Sequence, residues 1–198
     1  MNKKILIVLV FVISIFSTSN ASLRVFGGYN MVDKLMSRYV NMDYKENSTG
    51  AMVYGIEYCG EFNLLNQVGI DSYVIGYKKT ANRSIPNITW NGGTYAYTPV
   101  PAEVEFELYY LNLNHKFSDS IALYAGVNFP GFKGKQPVTA TFSQKIGFQA
   151  GVDYSLSKQL MLSVMYEHVD LGRSFPNTSG NIDGYVISGI EVLLKYQF

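Results

Sequence analysis

The segment VISGIEVLLKYQF, residues Val186 to Phe198, alternates along its whole length. Val186, Ser188, Ile190, Val192, Leu194, Tyr196 and Phe198 are small or apolar, whereas the interleaved set contains Glu191, Lys195 and Gln197. Neighbouring side chains of a strand point to opposite faces, so this strand has one face suited to hydrocarbon and one that carries charge. Alternation of this kind also occurs in soluble sandwiches, which seldom stop on Tyr-x-Phe.

The same period of two recurs seven times upstream. Strands are expected near Leu23–Met31, Gly50–Phe62, Val68–Lys79, Glu103–Phe117, Ile121–Phe132, Thr139–Leu156 and Gln159–Gly172, with Tyr185–Phe198 as the eighth. In the sixth, Ala140, Phe142, Ile146, Phe148, Ala150, Val152, Tyr154 and Leu156 share the apolar face. Brief links (Asn63–Gln67, Ser118–Ser120, Ser157–Lys158) interchange with longer ones (Val32–Thr49, Thr80–Ala102, Arg173–Gly184) and with a modest one, Lys133–Val138. Short turns at one end and long loops at the other are the pattern of a transmembrane barrel. Phe62, Phe117, Tyr154, Tyr196 and Phe198 fall beside the short turns or the C-terminus, and Tyr29, Tyr77, Phe129 and Tyr166 lie nearer the loops, as two interfacial girdles require.

With its terminal Tyr196-x-Phe198, the chain resembles the bacterial outer-membrane barrels, although Leu193 stands where that pattern has glycine. The hairpins Lys116–Gly126 (KFSDSIALYAG) and Asp153–Tyr166 (DYSLSKQLMLSVMY) are similar to the periplasmic hairpins of small OmpA/OmpX-type barrels and related surface antigens. The resemblance implies an all-β protein, a transmembrane antiparallel up-and-down barrel of eight strands. It further implies a monomer in the bacterial outer membrane, in contact with outer-membrane lipids and lipopolysaccharide. Tyr196 and Phe198 would be the signal read by the outer-membrane assembly machinery.

The N-terminus fits export. Lys3 and Lys4 precede the apolar run Ile5–Phe16, and Ser19 and Ala21 suit a cleavage site, so residues 1–21 read as a signal peptide and 22–198 as the barrel domain. That run is too short to span a bilayer as a helix. The 198 residues carry a formal net charge of +1 and no basic patch, which argues against nucleic acid as a partner. A single cysteine, Cys59, excludes an intrachain disulfide and reads as a small inward-facing residue. Two histidines and one cysteine give no metal-ligand spacing, and no cofactor is expected.

An eight-stranded barrel encloses space only for side chains. By parity its lumen receives Arg24, Glu57, Glu61, Lys116, Lys145, Asp153, Glu167, Glu191 and Lys195, and charges of both signs in a dry interior must pair. An ion-pair plug is therefore expected. In the fourth strand, Leu111 and Leu113 lie on the opposite parity to Val104, Phe106 and Leu108; either its upper half rises above the membrane or a bulge near Tyr109 resets the alternation. The facing of the third strand is ambiguous around Asp71.

Function would then reside in the loops. Thr80–Ala102 places Ile85, Ile88, Trp90, Tyr95 and Tyr97 among prolines, which suits either a recognition surface for a host or phage ligand or a self-packed cap. We expect a structural or recognition role (an adhesin or surface antigen) without catalysis. Two alternatives are a narrow channel for small or apolar solutes and a lipid A-modifying enzyme. For the latter, Tyr166-Glu167-His168-Val169-Asp170 resembles the histidine strand of PagL-type deacylases, but Asp170 occupies the position of their serine. No triad of hydroxyl nucleophile, His168 as base and an orienting carboxylate is expected, and both His168 and His115 read as rim residues.

Overall fold

The computed structural model describes residues 17–39, 42–47, 50–62, 65–85, 87–90, 93–96, 102–134, 141–174 and 183–198. Its elements are β1 (Ser17–Tyr39), β2 (Met42–Asn47), β3 (Ala51–Phe62), β4 (Ser72–Thr80), β5 (Arg83–Ile85), β6 (Asn87–Trp90), β7 (Gly93–Ala96), β8 (Ala102–Lys116), β9 (Ile121–Gly134), β10 (Thr141–Gln144), β11 (Gly147–Ser155), β12 (Leu160–Ser174) and β13 (Asp183–Gln197). Eight of these make the wall. The order β1, β3, β4, β8, β9, β11, β12, β13 is antiparallel throughout, and β13 pairs back onto β1 from Arg24↔Gln197 to Arg38↔Gly184, which closes the barrel.

The facing follows from chemistry. Outward positions of β3 are Met52, Tyr54, Ile56 and Tyr58, all exposed, while Val53, Glu57 and Cys59 between them are buried. The last strand behaves as its alternation predicts: Ile190 and Leu194 are exposed, and Glu191 and Lys195 are buried. In β11, Phe148, Val152 and Tyr154 face out while Gln149 and Asp153 face in. An exposed hydrocarbon belt around a polar interior is stable only if the belt meets lipid.

Short turns gather at one end. At two of them a serine caps the hairpin: Ser118 Oγ accepts from the amides of Ser120 (3.3 Å) and Ile121 (3.1 Å), and Ser157 Oγ accepts from those of Gln159 (3.3 Å) and Leu160 (3.1 Å). The third turn is longer than the sequence suggests. A 3-10 turn over Leu65–Val68 leads to Gly69 at φ 78°, a conformation that favours glycine, and β4 begins only at Ser72.

One open alternative is decided and two other expectations are corrected. The fourth strand has no bulge, because β8 pairs with β9 in one register from Val104↔Gly134 to Lys116↔Ala122. Phe106, Leu108 and Tyr110 therefore point inward, and above the lipid belt the outer face carries charge, including Lys79 paired with Glu105 at 2.6 Å. The sixth strand is not continuous. It breaks at Lys145 and Ile146, so that β10 pairs with β12 while β11 pairs with both β9 and β12. The long links at the other end also hold β-structure, since β1 continues to Tyr39 and β2, β6 and β7 extend the sheet beside it.

Candidate functional site

The lumen is filled by two tiers of charge. The tier nearer the short turns unites Arg24, Glu57, Asp153 and Lys195. Lys195 Nζ donates to Glu57 Oε1 at 3.0 Å and lies 3.2 Å from Asp153 Oδ1, while Arg24 stands at 3.9 Å from Glu57 and 4.0 Å from Asp153. Two further hydrogen bonds join the tier: Tyr110 OH donates to Glu57 at 2.8 Å, and Arg24 Nε donates to Gln197 Oε1 at 2.9 Å, while Glu57 Oε2 and Asp153 Oδ1 meet their cations without a hydrogen bond. Lys195 also sits 5.1 Å from the centre of the Tyr124 ring, whose hydroxyl bonds Ser163 Oγ at 2.8 Å. Glu57 (1 % exposed) and Lys195 (2 %) are removed from water, so each depends on its partners.

The second tier is built around Lys78, which binds both Glu167 and Glu191 (2.7 Å to the latter). Asn30 Nδ2 donates to the other oxygen of Glu191 at 2.5 Å, and Asn30 Oδ1 accepts from Arg83 Nη2 at 2.7 Å. Two cations (Lys78, Arg83) thus balance two carboxylates (Glu167, Glu191), as Arg24 and Lys195 balance Glu57 and Asp153 below. Between the tiers Gln149 Nε2 donates to Asn112 Oδ1 at 2.8 Å.

Of the nine residues that parity assigns to the lumen, six lie in the tiers: Arg24, Glu57, Asp153, Glu167, Glu191 and Lys195. Lys145 does not. It sits in the break between β10 and β11, is 48 % exposed, and pairs with Asp170 at 3.3 Å, because alternation no longer transmits facing across an interrupted strand. Glu61 is exposed near the end of β3 and lines a cavity of about 340 Å³ at the short-turn mouth, together with Arg24, Asp71, Asn114 and Asp153. Lys116 is likewise at that rim, paired with Asp119 at 3.0 Å, and His115 pairs with Asp71 at 3.2 Å. Lys78 and Arg83 were missed. For Lys78 a signal was present: Tyr73, Ile75 and Tyr77 form an apolar set on β4, with Tyr73 itself buried, which leaves Val74, Gly76, Lys78 and Thr80 for the interior, whereas Arg83 on β5 lies beyond that alternation.

On the outer wall, a hydroxyl stands within reach of His168. Ser188 is its cross-strand partner, and Ser188 Oγ lies 3.0 Å from His168 Nδ1. The imidazole stacks on Phe148, with ring centres 4.8 Å apart, and Ser188 is buried. Asp170 is engaged by Lys145, and among the described residues no group of three or more His, Cys, Asp or Glu side chains forms a metal-binding cluster.

Tyr196 and Phe198 are both exposed at the short-turn end and pack edge to face, 5.1 Å apart. For the loop aromatics the backbone alone is defined: Ile88 pairs with Tyr95 in the β6–β7 hairpin, Trp90 pairs with Gly93, Ile85 ends β5, and Tyr97 lies outside the described residues.

These features define a class: a closed, antiparallel, eight-stranded barrel with an apolar exterior and a plugged polar lumen, the architecture of bacterial outer-membrane barrels. The chain is similar in fold to the outer membrane protein OprG from Pseudomonas aeruginosa (13 % identity, TM-score 0.51, covering 92 % of this chain and 98 % of that one). It is similar to the same degree to Neisserial surface protein A (9 %, 0.51, 91 % and 100 %) and to the outer membrane protein AlkL in lipid bilayers (14 %, 0.51, 91 % and 91 %). No family model matches the chain, and no curated protein matches it. At these identities the likeness carries the fold.

Proposed function

We infer that the protein is a monomeric outer-membrane barrel, closed to ions, that serves as a structural and recognition element of the bacterial surface without catalysis. The observation that carries this reading is the pair of charge-balanced tiers across the lumen. Each carboxylate in them is bound to a cation from another strand, so a passing ion would have to break a buried pair. Recognition would fall to the β2, β6 and β7 extension, at the end of the barrel opposite the short turns, and to the loop that carries Ile85, Ile88, Trp90, Tyr95 and Tyr97, with lipopolysaccharide as its surroundings. A host or phage surface ligand is the partner class that suits such a position. Residues 1–21 would be removed on export; in support, the β1–β3 register shifts between Thr18 and Ser22 and is regular from Ser22↔Cys59 onward. Tyr196 and Phe198 would be presented to the assembly machinery.

Planar-bilayer recording tests the closed lumen. Silence is the expected result. A steady conductance that changes on Glu191→Gln would replace this reading with the channel for small solutes. Recovery of the mature chain in the soluble periplasm would overturn both.

The Ser188–His168 contact supplies the one observation in favour of an enzyme. A serine hydrolase needs its base oriented by a further group and its nucleophile open to substrate. Here the imidazole is held by stacking on Phe148 and the serine is covered, an arrangement that suits a packed interfacial residue.

A further inference from the structure

Arg83 is the buried cation that the lumen does not neutralise by contact. Its side chain enters from the start of β5, just beyond Thr80, at the end of the barrel opposite the short turns. The residue is 2 % exposed, and its guanidinium lies 5.7 Å from the centre of the Phe106 ring. Nη2 donates to Asn30, whereas Nε and Nη1 are buried with no hydrogen-bond partner. The two carboxylates of the same tier are already committed: Glu167 to Lys78, and Glu191 to Lys78 and Asn30. Among the described residues no carboxylate forms an ion pair with Arg83.

A guanidinium presents five N–H donors in a planar fork, a geometry that matches carboxylate and phosphate oxygens. Buried polar groups are almost always satisfied, and a charged donor left open in a dry site is the costliest exception. Asn30 fixes one arm and Phe106 supports one face, so the orientation of the remaining donors is set before any ligand arrives. Glu167 and Glu191 balance the charge of the tier without contacting Arg83, so what the site offers an anion is a set of oriented donors and not an excess of positive charge.

We propose that the outer end of the lumen is an oxyanion-binding site, with Arg83 as its principal ligand, that takes a phosphate or carboxylate group arriving from the extracellular side. This goes beyond the recognition role assigned to the hairpins and does not depend on it. The group could belong to a free solute or to the phosphorylated headgroup of a surrounding lipid; the chemistry at Arg83 is the same.

The test uses the refolded mature barrel in bicelles, isotopically labelled so that arginine Nε–H resonances are visible. The Arg83 resonance is identified by its loss in Arg83→Lys. Inorganic phosphate is titrated at constant ionic strength against chloride, and in a second arm lipid A is introduced into the bicelle without free phosphate. A saturable shift with inorganic phosphate supports the site and assigns it to soluble anions, and a shift with lipid A alone supports the site and assigns it to the lipid. An unmoved Arg83 resonance in both arms overturns the proposal. As an independent measure, phosphate at a hundred-fold excess over its dissociation constant should raise the midpoint of thermal unfolding by about 5–10 °C, and this rise should vanish in Arg83→Gln. An equal rise in the variant would also overturn it.

Discussion

Lys195 and Glu57 are 138 residues apart in the chain, yet Nζ and Oε1 meet at 3.0 Å inside the closed barrel. The contact joins the last wall strand to the second, across the seam where β13 meets β1. Tyr110, from β8 on the far side of the lumen, donates to the same carboxylate oxygen, so three strands converge on one atom.

Removing the cation should therefore be costly. Lys195→Met leaves Glu57 and Asp153 with Arg24 as their only cation in that tier, and breaking a buried pair by deleting one partner costs about 3–5 kcal/mol. Replacing both partners, Lys195→Met with Glu57→Leu, should cost less than the single change. Urea unfolding in detergent micelles, followed by the gel shift between folded and unfolded forms, measures both. A double variant as unstable as the sum of its parts would contradict the pairing.

The belt makes a different demand. Val192 lies on the outward parity of β13, between Glu191 and Leu193, which are both buried. Arginine on the lipid face near mid-membrane costs about 2–4 kcal/mol, so Val192→Arg should lower the yield of assembled barrel more than Glu191→Gln does. The same order is expected for Phe148→Arg against Gln149→Ala. Protease protection of outer membranes from expressing cells reads the yield.

His168→Ala tests the outer wall. Loss of the stack on Phe148 and of the contact with Ser188 should reduce stability by about 1 kcal/mol. Lipid A mass spectra should be identical with wild type, with the variant and without the protein. An acyl chain lost only in the presence of wild type would establish catalysis.

Gly76 gives a fourth expectation. It faces inward on β4 beneath the Tyr110 ring, where an added Cβ would occupy the space of that ring. Gly76→Val should displace Tyr110 from Glu57 and destabilise the barrel by about 1–3 kcal/mol through overpacking. Tyr110→Phe, which removes only the hydroxyl, should have a smaller effect in the same unfolding assay.

Where lipid presses on a long unbroken strand, the sequence is a direct record of facing. Val192, Leu194, Phe148 and Val152 lie outward, and Glu191, Lys195 and Gln149 inward, as alternation requires. Legibility fails where that pressure is absent. Above the belt β8 turns Phe106 and Leu108 inward while its outer face takes Glu105 and Glu107, so polarity and facing exchange with no change in register. Lys145 lies outside the lumen because parity does not carry across a break, and both it and Ile146 are exposed side by side. The meeting of Ser188 with His168 depends on the β12–β13 register, in which Tyr166↔Ile190 precedes His168↔Ser188, and pairing between strands is not written in either strand alone.

The distribution of the lumenal charges along the chain bears on how the barrel closes. Its first half contributes three cations, Arg24, Lys78 and Arg83, against one carboxylate, Glu57; its last three wall strands contribute three carboxylates, Asp153, Glu167 and Glu191, against one cation, Lys195. An open, half-curled sheet would thus be electropositive along one flank and electronegative along the other. Attraction between the flanks draws β13 toward β1, and it grows as water is squeezed from between them. The polarity that seals the finished lumen would also steer the two edges together, and it would oppose the pairing of two identical first halves from neighbouring chains.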